Sequence, residues 1–290
     1  MKIKDILNNE KITVSFEVFP PKQWDKIEKT KATVREMAAY NPSFMSVTYG
    51  AAGTTAGFTE EIAREITECG ITPLAHLTCL TSTGDKIESV VRKWQNDGIE
   101  NILALRGDIP EGFVFPDKQY YEHAYQLIRK IHSIGDFCVG AACYPEIHPE
   151  SSSRVEDIDH LKEKTDCGVD FLTSQMFFDN TVFYNFREIC AIKGINVPLI
   201  AGIMPITSAR FLEKSVKLSG CSLPKKFESI VERFGSDDNA MLQAGIIYAL
   251  DQIIDLLANG VNNIHIYTMN KPLIAKKITE ELAGIINGQE

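Results

Sequence analysis

Glu17 is an acidic residue in an otherwise apolar setting. It lies in the segment SFEVFPP, residues 15–21, where a run of strand-forming residues stops at two prolines. The alternation of a strand places Ser15, Glu17 and Phe19 on one face. A carboxylate among apolar side chains is costly unless it is paired or protonated. The segment therefore predicts either a structural ion pair with an arginine or an acid that takes part in chemistry.

Polar residues also follow or interrupt later apolar runs. The tripeptide RGD at 106–108 is in isolation typical of a capped turn, since glycine permits unusual backbone angles and aspartate caps the next segment. The segment YPEIHPE at 144–150 combines a tyrosine, a histidine and two glutamates with two prolines. A turn does not need so many reactive side chains, so the segment favours a functional role over a purely structural one. Gln175 offers amide donors and an acceptor to the edge of a heterocycle. His76 lies inside a predicted strand, where a lone histidine is more often a core residue than a ligand.

Several common site motifs are absent from the sequence. It contains no GxGxxG fingerprint, no P-loop and no GxSxG elbow. Lys271, just beyond a predicted strand, is the sole candidate for a Schiff base, which disfavours that class of aldolase. Side chains of the types that ligate metals do not form a local spacing motif. They are Glu17, His76, Asp108, Glu146 and His148, and no metal site is predicted from them.

The apolar pattern explains how these residues could meet. Strands are predicted over 12–19, 44–48, 73–78, 101–105, 137–143, 169–174, 197–203 and 261–267. Helices are predicted over 24–40, 59–69, 84–96, 118–133, 154–165, 180–192, 239–259 and 271–286, with two shorter helical stretches before 239. Mostly apolar strands that alternate with helices indicate parallel strands buried on both faces. The rhythm predicts an α/β fold, a (β/α)8 TIM barrel with its chemistry at the strand ends. A doubly wound open sheet is the alternative.

Composition bounds the function. The chain has 290 residues, of which 44% are hydrophobic and 24% charged, which is typical of a globular protein and long enough for one barrel or two ordinary domains. Because no linker divides the chain, we expect a single TIM-barrel domain spanning 1–290 without a regulatory domain. A net charge of -9 argues against a nucleic-acid partner. No apolar run reaches the roughly 18 residues that span a membrane, and no signal peptide is evident. The 7 cysteines include no CxxC pair, which favours a reduced, cytoplasmic protein.

Taken together and in order, the segments resemble the methylenetetrahydrofolate reductase family in its short bacterial form. They are SFEVFPP at 15–21, SVTYGA at 46–51, HLTC at 76–79, LRGD at 105–108, YPEIHP at 144–149, QMFFD at 175–179, GIMP at 202–205 and YTMN at 267–270. The match covers nearly the whole chain. It implies a TIM barrel in which NAD(P)H, with NADH preferred, reduces FAD. Reduced FAD would then reduce 5,10-methylenetetrahydrofolate to 5-methyltetrahydrofolate in a ping-pong mechanism.

The resemblance implies roles for individual residues. The family's acid falls on Glu17, where it would protonate the leaving nitrogen of the folate; desolvation by its apolar neighbours should raise its pKa above roughly 4.3. Asp108 would pair with the amino edge of the pterin and influence the flavin, and Gln175 would bind the pterin. Phe211 and Lys271 are further expected substrate contacts. The implied flavin contacts are Thr48, Tyr49, Ala51, His76, Arg106, Gly107, Asp108, Tyr144, His148, Asp157, His160 and Lys164.

The sequence departs from the family pattern where the electron donor would bind. Ser215 stands where relatives carry a phenylalanine, with Phe211 one turn earlier, and Lys271 replaces an arginine. These differences leave open a partner subunit that supplies the electrons, and family habit suggests a homo-oligomer. The residues are also compatible with a different TIM-barrel flavin dehydrogenase, a metal-dependent hydrolase or a non-catalytic subunit that binds flavin or folate.

Overall fold

The structure, a computed structural model, describes residues 1–50, 56–109, Gly112 and 121–287. Its strands are β1 (Thr13–Val18), β2 (Met45–Val47), β3 (Pro73–Thr78), β4 (Asn101–Leu105), β5 (Cys138–Cys143), β6 (Phe171–Ser174), β7 (Leu199–Ile203) and β8 (Asn263–Tyr267). Its helices are α1 (Ile3–Asn9), α2 (Ile27–Ala38), α3 (Ala56–Glu68), α4 (Gly84–Asn96), α5 (Ala124–Ile134), α6 (Arg154–Asp166), α7 (Asn180–Ile192), α8 (Ala209–Ser219), α9 (Lys225–Phe234), α10 (Asp238–Ala258) and α11 (Pro272–Asn287). The strands close in chain order into one parallel barrel. The predicted single-domain TIM barrel is confirmed.

Strand alternation divides the apolar from the polar residues of the barrel. In β1, Phe16 and Val18 pack outward into the main core beneath the helices. Ser15 and Glu17 face the barrel interior, where Ser15 contacts His265 of β8 and Glu17 lines a cavity. The predicted alternation of this segment is confirmed, and it places the acid inside the barrel.

The sequence pattern predicts no element before residue 12, yet helix α1 closes the amino-terminal end of the barrel. Its apolar residues Ile3, Ile6 and Leu7 form a cluster with the lower interior of the barrel, made by Phe44, Leu74, Leu103, Cys138, Phe171 and Ile200. A Cβ at Gly140 would lie 2.4 Å from the Phe171 ring, so glycine makes the room that this ring fills. The cavity at the other end of the barrel therefore opens away from α1.

One predicted helix boundary is wrong by several residues. The helix predicted over 118–133 begins at Ala124, although residues 113–120 lie outside the described part of the chain. The reason is a local cap: Gln126 Oε1 accepts hydrogen bonds from the backbone N–H groups of Glu122, at 2.9 Å, and His123, at 3.0 Å. These bonds satisfy amide groups that would otherwise continue the helix toward residue 118.

Helix α10 is the one helix among the described residues that is long and apolar enough, by length and composition, to cross a membrane. Core helices of globular proteins also pass this test. One face of α10 packs on the barrel, where Tyr248 Oη donates to Phe178 O at 2.6 Å and Gln252 Nε2 donates to Phe177 O at 3.2 Å. These two hydrogen bonds are typical of a helix that packs on the barrel of its own chain.

The segment after β8 fixes the end of β1. Thr268 Oγ1 donates to Glu17 O at 2.6 Å. The Asn270 side chain bonds both backbone groups of Phe19, accepting from its N–H at 2.7 Å and donating to its carbonyl at 2.9 Å. Met269 and Asn270 both adopt φ of 55° to make this turn. The segment YTMN at 267–270 therefore fixes the backbone position of Glu17 and with it the direction of the Glu17 side chain.

Candidate active site

The carboxyl ends of the strands surround a cavity of about 740 Å³. Its wall brings together most of the residues that the sequence predicts for the site. These are Glu17, Thr48, Tyr49, His76, Arg106, Gly107, Asp108, Tyr144, His148, Asp157, His160, Lys164 and Gln175. Ala51, also predicted, lies outside the described residues.

Two predicted substrate contacts lie away from this wall. Lys271 lines a separate groove, and its Nζ donates to Thr207 Oγ1 at 2.6 Å. Phe211 is partly buried against the apolar cluster beneath α8, α9 and α10, which includes Leu212 and Phe227. Both residues follow strands whose ends reach the cavity, but the loops after β7 and β8 carry them outward. In this arrangement neither side chain is among those that surround the cavity.

Glu17 is buried without a charged partner of opposite sign. The residue is 7% exposed, and among the described residues no arginine or lysine pairs with it. Its nearest titratable neighbour is His76, whose Nε2 lies 3.8 Å from Glu17 Oε2. Desolvation raises the pKa of Glu17 to about 8 and lowers the pKa of His76 to about 3. Both groups are therefore neutral at pH 7, and Glu17 retains a proton that faces the cavity.

A second buried histidine, His265, lies in the barrel interior beside Ser15, two residues before Glu17 in β1. His265 Nδ1 is 2.7 Å from Ser15 Oγ, and its Nε2 is 3.2 Å from Ser46 Oγ. Ser15 Oγ also lies 3.2 Å from Ile264 O, to which it donates. A hydroxyl has one proton, so this arrangement assigns the Nδ1–H tautomer to a neutral imidazole, which then accepts from Ser46 at Nε2. Burial lowers the pKa of His265 to about 3, which keeps this network uncharged.

These buried groups make opposite contributions to the pH dependence of stability. His76 and His265 stay neutral in the folded protein down to about pH 3 but gain a proton near pH 6.5 when unfolded, so they destabilise the fold as the pH falls below 6.5. Glu17 stays protonated up to about pH 8 when folded but ionises near pH 4.5 when unfolded, so its contribution to stability decreases as the pH rises between those values. The two histidines outweigh one carboxyl below pH 6.5.

The free energy of unfolding is measured by urea titration for the wild type and for Glu17→Gln. The difference between the two proteins isolates the carboxyl from the other titrating groups, among them Lys164, whose lowered pKa makes stability rise with pH. The wild type should lose stability relative to the variant as the pH rises toward 8. The same pH dependence in both proteins would contradict a protonated Glu17.

The end of β4 is shaped around a glycine. Gly107 has φ +85°, and a Cβ there would approach Thr78 Cβ to 2.8 Å. Leu80 N donates to Arg106 O at 2.9 Å, which holds the segment beside the end of β3. Arg106 Nη1 pairs with Glu150 Oε2 at 2.6 Å. The RGD segment is thus a tight turn, and it also presents Arg106 and the exposed Asp108 to the cavity.

The loop after β5 is fixed by helix α6. Asp157 accepts from His148 N at 3.3 Å and from Ser151 Oγ at 3.2 Å. His148 Nδ1 accepts from Glu150 N at 3.1 Å, so its other ring nitrogen is the donor available to a ligand. The rings of Tyr144 and His148 meet edge to face with centroids 4.6 Å apart. The loop is therefore a rigid wall.

A lysine and an amide complete this side of the cavity. Lys164 Nζ donates to Ala142 O at 2.7 Å, and desolvation lowers the pKa of its ammonium. The Gln175 side chain hydrogen-bonds the Tyr144 hydroxyl, and its Oε1 accepts from Met176 N at 2.9 Å. Asp108 lies close enough to Tyr144 to raise the pKa of that phenol, together with the larger effect of burial. Asp108, Tyr144 and Gln175 thus form one rim of the cavity.

The cavity also contains residues for which the sequence predicts no individual role. They include Thr78, His123, Tyr125, Glu163, Thr173, Met204, His265 and Tyr267, and also Glu150 of the segment YPEIHPE. The alternation of β8 could have identified two of them, since Asn263, His265 and Tyr267 must share the inward face. His123 and Tyr125 belong to the start of α5, and no sequence signal points to them.

Unsatisfied polar atoms concentrate on this wall. Buried side-chain atoms without a hydrogen-bond partner in the described part of the chain include His76 Nε2, Thr78 Oγ1, Arg106 Nε and Thr173 Oγ1, and all four residues line the cavity. Buried polar atoms are normally paired, so this concentration is typical of a site that binds a polar ligand. Groups of three or more histidine, cysteine or acidic side chains that could hold a metal ion are absent from the described residues.

Comparison with known proteins identifies similar chains. The family model for methylenetetrahydrofolate reductase matches residues 2–283. The 5,10-methylenetetrahydrofolate reductase of Escherichia coli (strain K12) is 32% identical over 272 residues, which are 93% of this chain and 90% of that protein. The enzyme of the same name from Buchnera aphidicola subsp. Acyrthosiphon pisum is 35% identical over 280 residues, covering 96% of this chain and 93% of that protein.

One further relative is much longer than this chain, and one solved structure shares its fold at low sequence identity. Methylenetetrahydrofolate reductase (NADH) 1 of Arabidopsis thaliana is 33% identical over 285 residues, which are 93% of this chain but 48% of the plant protein. A solved structure of a Clostridium thermocellum protein, described as binding two copies of 5-methyl-5,6,7,8-tetrahydrofolic acid, shares the fold. Its TM-score is 0.66 at 14% identity, with 97% of this chain and 100% of that chain covered.

Proposed function

The chain belongs to the methylenetetrahydrofolate reductase family, and from this premise we propose that it works with FAD and NADH in two alternating half-reactions. It is an oxidoreductase of folate one-carbon metabolism that reduces methylenetetrahydrofolate to methyltetrahydrofolate. When bound, the flavin would accept a hydride from NADH and deliver it to the folate. The observation that carries the proposal is the burial of the Glu17 carboxyl at the cavity wall, where no arginine or lysine of the described residues pairs with it. The name of the Arabidopsis relative supports NADH as the donor.

Glu17 would act as the general acid. The methylene group of the substrate bridges two nitrogens, and it accepts a hydride only after one C–N bond opens to give an iminium ion. A proton on the leaving nitrogen makes that opening favourable. With a pKa of about 8, Glu17 carries this proton at pH 7, and neutral His76 beside it does not compete to supply one. The ionised carboxylate that remains would stabilise the iminium.

The rim formed by Asp108, Tyr144 and Gln175 would hold the pterin. Asp108 is exposed at the cavity and can accept hydrogen bonds from an amino group of the pterin. The Gln175 amide is already oriented by Tyr144 and Met176 N, which lowers the entropy cost of binding. These contacts would orient the folate so that its reacting nitrogen faces Glu17.

The cavity wall suits the parts of FAD. The unpartnered atoms of His76, Thr78, Arg106 and Thr173 are donors and acceptors for a heterocycle and its chain. Arg106 and Lys164 are the cations that could bind the diphosphate, and Arg106 offers a bidentate fork. Acidic residues Glu150 and Glu163 also line this wall, so the cations are not in excess. The cavity wall would therefore bind FAD through specific hydrogen bonds and ion pairs rather than through an excess of positive charge.

Glu150 should weaken flavin binding, because its carboxylate pairs with the Arg106 guanidinium, which would otherwise be available to the diphosphate. The Arg106–Glu150 pair is partly exposed, so freeing Arg106 is worth the modest energy of a surface ion pair. Replacing Glu150 with glutamine should lower the Kd for FAD by about two- to fivefold at low salt, with a smaller change at high salt. Flavin fluorescence quenching measures this.

Glu188 is an exposed acidic residue of α7, away from the cavity. Glu188→Gln removes the same charge as Glu150→Gln and is the matched control. It should leave the Kd for FAD unchanged. Weaker FAD binding in Glu150→Gln would contradict competition for Arg106 and would assign Glu150 a supporting role.

Anaerobic stopped-flow spectroscopy tests the proposed function as a whole. NADH should bleach the flavin absorption of the purified protein, and methylenetetrahydrofolate should then restore it. If NADH does not bleach the flavin, but folate restores the absorption of flavin that was reduced chemically with dithionite, a partner subunit would replace NADH as the donor. The absence of flavin from protein purified and supplemented with FAD would contradict the proposal.

A further inference from the structure

Tyr267 makes a contact that crosses one entire strand. It is the last residue of β8, and its Oη donates to Ser174 O at 2.6 Å, at the end of β6. Strand β7 lies between these two strands in the barrel. A phenol can reach over β7 because that strand presents Gly202 at this level. A Cβ at Gly202 would lie 2.7 Å from Tyr267 Oη and 2.3 Å from Ser174 O.

The end of β6 depends on this side-chain contact, because its ladder to β7 stops early. The β6–β7 pairs are Leu172 with Leu199 and Thr173 with Ile200. Beyond them, Ser174 is held toward β7 and β8 by side-chain bonds: its Oγ accepts from Gly202 N at 2.9 Å and its carbonyl accepts from Tyr267. On the other side, Gln175 N donates to Cys143 O at 2.7 Å. Ser174 and Gln175 are thus positioned by contacts from three strands.

The backbone of Tyr267 lies beside that of Glu17. Glu17 and Tyr267 are direct partners in the β1–β8 register, and both line the cavity. The backbone carbonyl of Glu17 is fixed by Thr268, the residue after Tyr267. Two consecutive residues at the end of β8, Tyr267 and Thr268, therefore bond the backbone at Glu17 and the backbone that leads into Gln175.

We propose that Tyr267 is a positioning residue that sets the Gln175 amide at a fixed distance from the Glu17 carboxyl through its bond to Ser174 O. The inference rests on the proposed pterin-binding role of Gln175. Tyr267 does not itself have to contact folate. Without the phenol proton, Ser174 O loses its donor, and the peptide that leads into Gln175 is held only from the β5 side, by the bond from Gln175 N to Cys143 O.

A double-mutant cycle on folate binding tests this role. The Kd for methyltetrahydrofolate is measured by calorimetry on the flavin-loaded protein for wild type, Tyr267→Phe, Gln175→Ala and the double variant. Each single change should raise the Kd by roughly three- to tenfold, the worth of a hydrogen bond. Since Tyr267 acts through Gln175, the double variant should bind no more weakly than Gln175→Ala, which is the signature of coupled residues.

Tyr248→Phe is the matched control, because Tyr248 Oη also donates to a main-chain oxygen at 2.6 Å, that of Phe178, but lies outside the cavity wall. It should lower the urea midpoint about as much as Tyr267→Phe while leaving the Kd for methyltetrahydrofolate unchanged. A Kd that rises equally in both tyrosine variants would overturn the inference, because the effect would then be general destabilisation.

Two further results separate the inference from the proposed function. If Gln175→Ala weakens folate binding but Tyr267→Phe does not, the positioning role is overturned and the pterin role of Gln175 stands. If Gln175→Ala itself leaves the Kd unchanged, the pterin role fails and the inference fails with it. Additive effects in the double variant would overturn the inference as well, by showing that Tyr267 acts independently of Gln175.

Discussion

Replacing Glu17 with glutamine should slow the reduction of methylenetetrahydrofolate by roughly 10²–10⁴-fold, the usual contribution of a general acid. Glutamine keeps the size and hydrogen-bonding capacity of the residue but has no proton to give to the leaving nitrogen. Reduction of the flavin by NADH needs no such proton, so its rate should stay near that of the wild type. Stopped-flow measurement of the two half-reactions separates these rates.

The pH dependence provides a second readout of the same residue. The pKa of Glu17 is about 8, so the wild-type folate half-reaction should decline as the pH rises through 8, while the slow residual rate of the variant should not. Glu65→Gln is the matched control: Glu65 is also buried, 3% exposed, but pairs with Arg35 on the outer helices. It should leave both half-reactions intact. Equal losses in both half-reactions of Glu17→Gln would contradict the role of an acid.

The largest expected effect on stability is at Gly245, within helix α10. A Cβ there would lie 1.7 Å from Ile206 O, a main-chain atom that cannot rotate away. The helix would have to separate from the loop after β7, which also carries Met204 of the cavity wall. We expect Gly245→Ala to lower the free energy of unfolding by at least about 2 kcal/mol, despite the better helix propensity of alanine. Urea unfolding followed by circular dichroism measures the change.

Gly284→Ala in helix α11 is the matched control, because a Cβ at Gly284 would meet no atom of the described residues within 4 Å. Alanine there should stabilise the protein by about 0.5–1 kcal/mol through helix propensity alone. Wild-type stability in Gly245→Ala would mean that α10 does not pack as closely on Ile206 as the structure has it.

The fold could be predicted from the sequence because apolar runs in a barrel are local signals. Runs such as 73–78 and 101–105 are buried on both faces, and the helices between them carry one apolar stripe each, so the period reveals the element without tertiary information. Helix α1 could not be predicted this way. It has 7 residues and no side-chain hydrogen bond at its N-cap, and its apolar residues are explained only by the barrel end that they fill.

The site was predictable to a similar extent. The rule that chemistry collects at the carboxyl ends of barrel strands, together with the resemblance, led to Glu17, Asp108 and Gln175, which line one cavity. What the sequence could not provide are the distances across the barrel. The approach of His76 to Glu17 and the contact of Tyr267 with Ser174 depend on strand register and on the space at Gly202.

Loop direction is the second property that the sequence does not carry. Phe211 and Lys271 follow strands β7 and β8, whose ends reach the cavity, yet both side chains lie outside its wall. The path of each loop decides which residues near a strand end face inward, and that path depends on tertiary packing rather than on a local period.

Helix α1 has a consequence for how the chain is made on the ribosome. Its binding partners come from β3 to β7 and from Phe44, the last of them being Ile200. At typical translation rates, roughly 10 to 40 s separate the synthesis of α1 from that of Ile200. During that interval Ile3, Ile6 and Leu7 have no barrel end to enter, and a helix this short is not stable alone in water. Helix α1 therefore acquires its final structure only after β7 has been made.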